Sequence, residues 1–249
     1  MKEINYEKGV LYIAFKKSFV KECLFSAESL KKHNPNIPIA LFTDQEISSP
    51  YIDIVKVIKA KHTRCKVDYI GDSPFEKTLY LDSDTIVVRD ISDVFDVLDR
   101  FDVGVTHDYA RKRENYCCID EYKEIPYSFS EVNGGFMAFN NSIASKEFLA
   151  LWKEKFYKYR KQTSGWDQVS LRISLWQSKV SMVHLPPEYN IRSKEIREKV
   201  RNHHDKLGES HLCPRIYHMH YDREVHRNKF KVDTLEELEK KIQEKALEI

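Results

Sequence analysis

The chain has 249 residues, of which 41% are hydrophobic and 32% are charged, and its formal net charge is +2. This length and composition suit one large α/β domain or two small ones, each with a sizeable core. The small net charge gives no general attraction to nucleic acid, which we therefore do not expect as a partner.

The cysteines and the apolar runs indicate the compartment. Five cysteines are scattered along the chain without a CxxC pair, which predicts reduced thiols and no thiolate zinc site. The N-terminus has no apolar run of signal-peptide length, and no stretch reaches the roughly 20 apolar residues of a membrane-spanning helix. We therefore expect a soluble, cytoplasmic protein.

The first part of the chain alternates between short apolar strands and helical segments. In chain order the patterns predict strand 10–15, helix 19–33, strands 37–43 and 54–58, helix 66–70, strands 77–81 and 86–88, helix 92–98 and strand 103–106. This alternation predicts an α/β fold, with a mostly parallel sheet flanked by helices.

The second part is less regular. A polar loop is predicted at 107–127, followed by strand 136–140, a helix capped by Ser142, helix 167–178 and strand 180–185. The basic segment 190–230 has three interpretations: it surrounds a diphosphate and acceptor, it binds peripherally to the inner face of an anionic membrane, or it is a solvated face. We expect one domain at 1–230 and an amphipathic helix at 231–249, capped by Thr234 and Glu237, that packs on the domain.

The clearest motif is an apolar strand that ends in Asp82-Ser83-Asp84. Ligands of open α/β sheets bind beyond the carboxyl ends of the strands. Two carboxylates placed there repel each other unless a cation lies between them, and their hard oxygen atoms suit Mn²⁺ or Mg²⁺. The motif therefore predicts a metal site that can hold a diphosphate, although a plain polar turn is the simpler alternative.

A rival interpretation uses the same two carboxylates. Asp-x-Asp-x-Thr after an apolar strand also resembles the haloacid dehalogenase phosphatases, in which Asp82 would be the nucleophile and Asp84 the general acid. Those phosphatases usually carry the motif on their first strand and need a later acidic cluster. Here several elements precede the motif, and no such cluster follows it.

The chain resembles a GT-A-fold glycosyltransferase of the nucleotide-diphospho-sugar transferases, and most closely glycosyltransferase family 8, over roughly residues 9–225. The motifs that carry the resemblance are Ser73-Pro-Phe leading into 77–87, Asn133-Gly-Gly-Phe136, Gly165-Trp-Asp-Gln168, Leu185-Pro-Pro-Glu-Tyr-Asn190 and Ile216-Tyr-His218. The resemblance implies a Rossmann-like sheet in a single domain with a helical or irregular C-terminal segment.

The resemblance also implies a ligand set for Mn²⁺ or Mg²⁺. Asp82 and Asp84 match the DxD motif, and His218 matches a late histidine that provides the third metal ligand. His220 is the fallback for this histidine. Imidazole is a suitable ligand for Mn²⁺.

The resemblance further implies donor-binding and catalytic residues. The donor-binding set is Ala14, Phe15, Thr43, Asp44, Arg64, Lys66, Asp82, Ser83, Asn133, Gly134, Gly135 and Arg223. Arg223 would replace a lysine that holds the diphosphate in family 8, whose usual ending this chain lacks. Asp167 and Gln168 match the pair that faces the reacting sugar, although Asp167 could also simply cap a helix.

The expected reaction is transfer of a hexosyl group from a nucleotide-sugar, with UDP preferred, to a hydroxyl of a glycan or lipid-linked sugar. Family 8 implies retention of the anomeric configuration. An inverting enzyme would need a carboxylate base, for which Asp167 and then Glu131 are the candidates. A non-catalytic nucleotide-sugar-binding protein is the remaining alternative.

Overall fold

The computed structural model describes residues 6–192, 213–219, 234, 236, 237 and 240. Its strands are β1 Tyr6–Ala14, β2 Ile39–Thr43, β3 Ile54–Val57, β4 Phe75–Leu81, β5 Thr85–Val87, β6 Val103–His107, β7 Val132–Asn140, β8 Met182–His184 and β9 Ile216–His218. Its α-helices are α1 Lys16–His33, α2 Lys66–Tyr69, α3 Val94–Val97, α4 Asp120–Lys123, α5 Ile143–Tyr159 and α6 Gln168–Gln177.

Seven strands form the central sheet in the order β3-β2-β1-β4-β7-β6-β8. Strand β7 runs antiparallel to both of its neighbours, β4 and β6, whereas the other neighbouring pairs are parallel. The predicted mostly parallel α/β sheet is therefore confirmed. Because β7 is reversed, its amino end lies at the same edge of the sheet as the carboxyl ends of β4 and β6.

Helices cover the sheet on both faces. Tyr12 of β1 packs into the core beneath α1, while the adjacent Leu11 packs into the core beneath α5, which contains Trp152. Successive side chains of a strand point to opposite faces, so a strand buried on both sides needs a continuous apolar run. The run at 10–14 in β1 meets this requirement.

Several predicted boundaries differ from those observed. Strand β7 begins at Val132, so Asn133, Gly134 and Gly135 belong to a strand and not to the approach to one. The predicted loop 107–127 contains a 3₁₀ turn at Glu114–Tyr116 and the short helix α4. Glycine and polar residues weigh locally against a strand or a helix. The start of β7 is nevertheless extended, because Val132 pairs with His107 of β6 and the Gly135 carbonyl accepts the Asp82 N–H. The short helix α4 packs against α6.

Strand β5 lies outside the central sheet and pairs antiparallel with β9. On its other side, the Val87 N–H donates to Ser29 Oγ of α1 at 3.0 Å. A buried hydroxyl chain continues this contact: Tyr12 Oη lies 2.7 Å from Ser26 Oγ, which lies 2.8 Å from Thr85 Oγ1. Thr85 Oγ1 then donates to the carbonyl of Asp82 at 2.9 Å. Polar residues of α1 thus hold the segment that follows Asp82-Ser83-Asp84.

Most of the C-terminal predictions lie outside the described residues, including Arg223, His220 and most of the helix predicted at 231–249. Within that helix, the Glu237 N–H donates to Thr234 Oγ1 at 3.2 Å, as in a helix N-cap. Among the described residues, no helix is both long enough and apolar enough to span a membrane.

Removing the Thr85 hydroxyl should destabilise the fold. Thr85→Val leaves buried Ser26 Oγ and the Asp82 carbonyl without this partner, and the expected loss is about 1–3 kcal/mol of unfolding free energy. The urea unfolding midpoint measures the change. Thr43→Val is the matched control, because Thr43 Oγ1 is buried without a hydrogen-bond partner among the described residues. Its removal should be neutral or stabilising, and an equal loss in both variants would contradict the role of the hydroxyl chain.

Candidate active site

A cleft of about 900 Å³ opens at the edge of the sheet where β1 and β4 end and β7 begins. Ligands of α/β folds bind at this edge. The predicted site residues that line the cleft are Ala14, Phe15, Asp44, Arg64, Lys66, Asp82, Ser83, Asp84, Asn133, Gly134, Gly135, Asp167, Gln168 and His218. Thr43 does not line the cleft, because its side chain is buried inside β2.

Asp82, Asp84 and His218 meet at the centre of the cleft. The β5–β9 ladder pairs Thr85 with His218, so the histidine lies beside the acidic motif although 134 positions separate it from Asp84 in the sequence. His218 Nε2 lies 3.2 Å from Asp84 Oδ1 and 3.9 Å from Asp82 Oδ2. Potential ligand atoms of the three residues all lie within 4.8 Å of one another.

Asn190 determines which nitrogen of His218 carries a proton. Asn133 Oδ1 accepts the Gly135 N–H at 3.0 Å, and it also accepts Asn190 Nδ2 at 3.1 Å. The other atom of the Asn190 amide is therefore the oxygen, which lies 2.8 Å from His218 Nδ1. Nδ1 must then donate, and Nε2 is the nitrogen that faces the carboxylates, at 3.2 Å from Asp84 Oδ1.

Two carboxylates that lie this close together repel each other unless a cation lies between them. Two carboxylate oxygens and one imidazole nitrogen form a donor set that suits a divalent transition metal or Mg²⁺. Asn190, which holds the other imidazole nitrogen, provides the outer contact that orients a histidine ligand. The residues present therefore fit a divalent cation.

Gly135 leaves the space that this group needs. A Cβ at position 135 would lie 2.3 Å from His218 Cε1 and 2.6 Å from Asp82 Oδ2. At Gly134 the nearest atoms would be 3.4 Å away or more, so that position tolerates a methyl group. The close approach of β7 to the acidic motif thus depends on the second glycine.

Lys66 joins the acidic motif to α6. Its buried ammonium donates to the Gly134 carbonyl at 2.8 Å and lies 3.1 Å from Asp82 Oδ1 and 3.3 Å from Asp167 Oδ2. Burial opposes ionisation of Asp82, but the Lys66 ammonium, His218 and the hydrogen bond from Tyr80 together outweigh it, and the pKa of Asp82 lies below its ordinary value. Burial and the Asp82 carboxylate raise the pKa of Tyr80, whose hydroxyl donates to Asp82 Oδ1 at 2.6 Å.

Asp167 precedes α6 but does not cap it. Its side chain makes no capping hydrogen bond. Its carboxylate instead faces Lys66 and Arg64, and Arg64 Nε lies 3.6 Å from Asp167 Oδ1. The next residue, Gln168, donates its side-chain amide to the Val132 carbonyl at the start of β7. Both side chains are thereby held against the cleft.

The far end of the cleft lies beyond β1. Ala14 and Phe15 line it beside Asp44, whose two carboxylate oxygens accept the Lys16 N–H at 3.2 and 3.4 Å. Lys16 has a φ of 66°, an uncommon conformation for a residue with a Cβ. The bond to Asp44 thus accompanies a tight turn between β1 and α1.

Sequence reasoning missed three contributors to the site. Tyr80 and Asn190 contact the candidate metal-binding group, which consists of Asp82, Asp84 and His218. Asp108 accepts Asn133 Nδ2 at 3.2 Å. Tyr80 and Asn190 both lie inside the sequence motifs that carry the family resemblance, so these motifs could have pointed to them. Their roles depend on contacts with residues far away in the chain, which local patterns do not reveal.

His62, Cys65 and Asp68 form a second group of potential ligands, of which His62 and Cys65 lie in the wall of the cleft. His62 Nδ1 accepts the Arg64 N–H at 3.2 Å, so Nε2 carries the proton and donates to Asp68 at 3.0 Å. The histidine is thus satisfied as a neutral side chain that ties the loop to α2.

Comparisons with known proteins agree with this architecture. The galactosyltransferase LgtC, solved in complex with donor and acceptor sugar analogs, superposes with a TM-score of 0.62 at 14% identity, covering 97% of this chain and 96% of that one. GlyE of Streptococcus pneumoniae TIGR4 gives 0.60 at 20% identity, covering 96% of this chain but 61% of GlyE, so the chain spans about three fifths of that protein. A glycosyltransferase involved in glycosylation of the major capsid of PBCV-1 gives 0.52 at 11% identity, covering 95% and 98%. No curated protein matches the sequence.

The sheet and its flanking helices thus form a GT-A fold, and the protein is a glycosyltransferase. A model of the nucleotide-diphospho-sugar transferases matches residues 77–235, more than half of the chain, which therefore belongs to that family. The resemblance to nucleotide-diphospho-sugar transferases seen in the motifs is confirmed.

Gly135→Ala should destabilise the protein, whereas Gly134→Ala should not. The added methyl group at 135 would overlap His218 and Asp82, and we expect a loss of about 1–3 kcal/mol in unfolding free energy. At 134 the change should stay within about 1 kcal/mol. Chemical denaturation of both variants measures the difference, and equal stability of the two would show that β7 can shift away from the acidic motif.

Proposed function

We propose that the protein is a metal-dependent, retaining glycosyltransferase of family 8 type that transfers a hexosyl group from a UDP-sugar to a hydroxyl acceptor. The observation that carries the proposal is the group formed by Asp82, Asp84 and His218, in which His218 Nε2 faces two carboxylates. Mn²⁺ is the preferred ion and Mg²⁺ the alternative, because imidazole joins two oxygen ligands.

Asp82, Asp84 and His218 would hold the ion, and Asn190 would orient the histidine ring. A divalent cation bound there would supply charge neutralisation for the departing diphosphate. Arg64 and Lys66 add fixed positive charge on the same wall of the cleft, which stabilises the charge that develops on the leaving group. Arg223, outside the described residues, stays the sequence-based candidate for a further diphosphate contact.

The donor would lie along the edge of the sheet from β1 to β7. Ala14, Phe15 and Asp44 would receive the nucleotide base at the β1 end, and Ser83 would lie beside the diphosphate. The backbone at Asn133–Gly135 would approach the sugar, because Gly134 and Gly135 have no Cβ. The preference for uridine rests on the resemblance to family 8.

Retention is favoured by the state of the candidate bases. During transfer the bond from the anomeric carbon to the diphosphate oxygen breaks and a bond to the acceptor oxygen forms. The acceptor hydroxyl passes its proton to the departing diphosphate oxygen when no side chain takes it. An inverting mechanism needs a carboxylate free to take that proton. Asp167 is engaged by Lys66 and Arg64, and Glu131 is fully buried against Arg113 and Tyr122 and does not line the cleft. Asp167 and Gln168 instead suit positioning of the sugar.

The two alternatives are less well supported. A phosphatase would use Asp82 as a nucleophile, but this carboxylate is held by Lys66 and Tyr80, and the family match describes sugar transfer. A purely binding protein has no need for the ordered contacts between Lys66 and Asp167. Peripheral membrane binding by the basic segment stays a prediction from the sequence.

Asp84→Ala should abolish metal-dependent hydrolysis of the donor. Wild-type protein should slowly hydrolyse a UDP-sugar in the presence of Mn²⁺, and loss of one ligand should reduce the rate roughly 100-fold or more. Release of UDP measures the rate, and calorimetry measures Mn²⁺ binding. Asp99→Ala, which removes an exposed carboxylate far from the cleft, is the control and should behave as wild type. Phosphate release from monoesters without turnover of any nucleotide sugar would instead favour the phosphatase.

Lys66→Met should change metal binding and turnover in opposite directions. Removal of an ammonium 3.1 Å from Asp82 relieves repulsion of an incoming cation, so Mn²⁺ should bind roughly tenfold more tightly. Hydrolysis should fall roughly 100-fold, because a fixed positive charge near the leaving group is lost. Lys66→Arg keeps the charge and should leave Mn²⁺ affinity close to wild type. Weaker Mn²⁺ binding by Lys66→Met would show that Lys66 builds the metal site and does not oppose it.

A further inference from the structure

Two large aromatic side chains stand exposed in the cleft. Tyr109, after β6, is 67% exposed and Trp166, before α6, is 52% exposed, and both line the same cleft as the metal-binding group. Most large aromatic residues of the described chain are buried in the two cores. Exposed aromatic faces in a cleft are surfaces on which a ligand can pack.

Trp166 is held in place by its surroundings. The backbone N–H of Trp166 donates to the Thr163 carbonyl at 3.0 Å, and Thr163 Oγ1 donates to the backbone carbonyl of Trp166 at 2.9 Å. The Arg64 guanidinium lies 5.4 Å from the ring centre and also faces Asp167. The ring therefore stands next to the carboxylate proposed to face the reacting sugar.

Tyr109 is flanked by two guanidinium groups. Arg113 lies 5.3 Å and Arg192 lies 5.9 Å from its ring centre. Asp108 pairs with both arginines, at 3.1 and 3.0 Å, and also accepts Asn133 Nδ2. Tyr109 is thereby linked through Asp108 to the start of β7.

The positions of the strands separate these rings from the nucleotide. The base would bind at the end of β1, whereas Tyr109 follows β6, which lies three strands further along the sheet order. At about 4.8 Å per strand, the separation is about 14 Å. Trp166 precedes α6, which packs on β7, also beyond the metal-binding group. The two rings thus occupy the side of the cleft opposite to the base.

The charges in this part of the cleft are already paired. Around Tyr109, Arg113 contacts Asp108 and Glu131, and Arg192 contacts Asp108. An anionic acceptor would find no uncompensated cation among these described groups. A neutral ring with an apolar C–H face and a rim of hydroxyl groups suits aromatic faces beside fixed polar groups.

We propose that Tyr109 and Trp166 form the acceptor subsite and pack against an uncharged pyranose ring of the acceptor. The inference rests on the proposed transferase function and adds the chemical class of the acceptor. Both rings would determine acceptor affinity without contacting the nucleotide. Loss of either packing surface should therefore raise the acceptor KM and leave the donor KM nearly unchanged.

The test uses the full chain with a UDP-sugar donor, Mn²⁺ and a panel of methyl pyranosides and neutral disaccharides as acceptors. Tyr109→Ala and Trp166→Ala should each raise the acceptor KM about tenfold, whereas Tyr109→Phe keeps the ring and should stay near wild type. Trp176→Ala and Tyr127→Ala are matched controls, because these aromatic residues are 47% and 67% exposed but lie outside the cleft. Saturation-transfer NMR of the same glycosides measures binding without turnover.

The outcomes separate the inference from the function on which it rests. Donor hydrolysis with no effect of either alanine variant on glycoside binding or acceptor KM would overturn the subsite. Transfer only to phosphorylated or peptide acceptors would also overturn it. Absence of any nucleotide-sugar turnover, with glycoside binding that still depends on Tyr109 and Trp166, would refute the transferase function and retain a sugar-binding site.

Discussion

The hydrogen bond between Asn190 and His218 determines the chemistry of the cleft. It places a proton on Nδ1 and directs Nε2 towards Asp82 and Asp84. The amide of Asn190 is itself oriented by Asn133 and Thr106, so the tautomer depends on residues from β6 and β7. A buried network in which every member is satisfied can hold such an arrangement rigidly, and a rigid ligand set needs little reorganisation when an ion binds.

The reversed strand β7 connects this network to the rest of the fold. Because it runs against β4, its first residues lie beside the end of the acidic strand, and the Gly135 carbonyl accepts the Asp82 N–H at 2.9 Å. Lys66 uses the carbonyl of Gly134 on the same segment and joins Asp82 to Asp167. The backbone of Gly134 and Gly135 thus connects Asp82, the buried Lys66 and, through Lys66, Asp167 at the start of α6.

Much of the fold could be predicted from sequence, because β1, β2 and β4 are apolar runs and α1 has helical spacing between clear stops. The acidic pair was recognisable because two carboxylates at the end of an apolar strand fit a metal site, whereas His218 was assigned through the resemblance to family 8. The start of β7 was missed because Asn133, Gly134 and Gly135 have low strand propensity. Contacts with segments distant in the chain extend the strand there: Val132 pairs with His107 of β6, and the Gly135 carbonyl accepts the Asp82 N–H. The network around Asn190 and Asp108 could not be found, because it joins segments that are distant in the chain.

The sheet order also divides the cleft between a part formed by the ends of strands and a part formed by connecting segments. In the proposed function, the ends of β1 and β4 and the start of β7 hold the nucleotide, the ion and the reacting sugar, all on rigid elements. Tyr109 and Trp166 instead stand in connecting segments, which can change without altering the sheet. The backbone similarity to LgtC at 14% identity shows that this scaffold tolerates wide sequence change. In the proposed function, the choice of the acceptor sugar therefore depends on the side chains of such segments and does not follow from the fold.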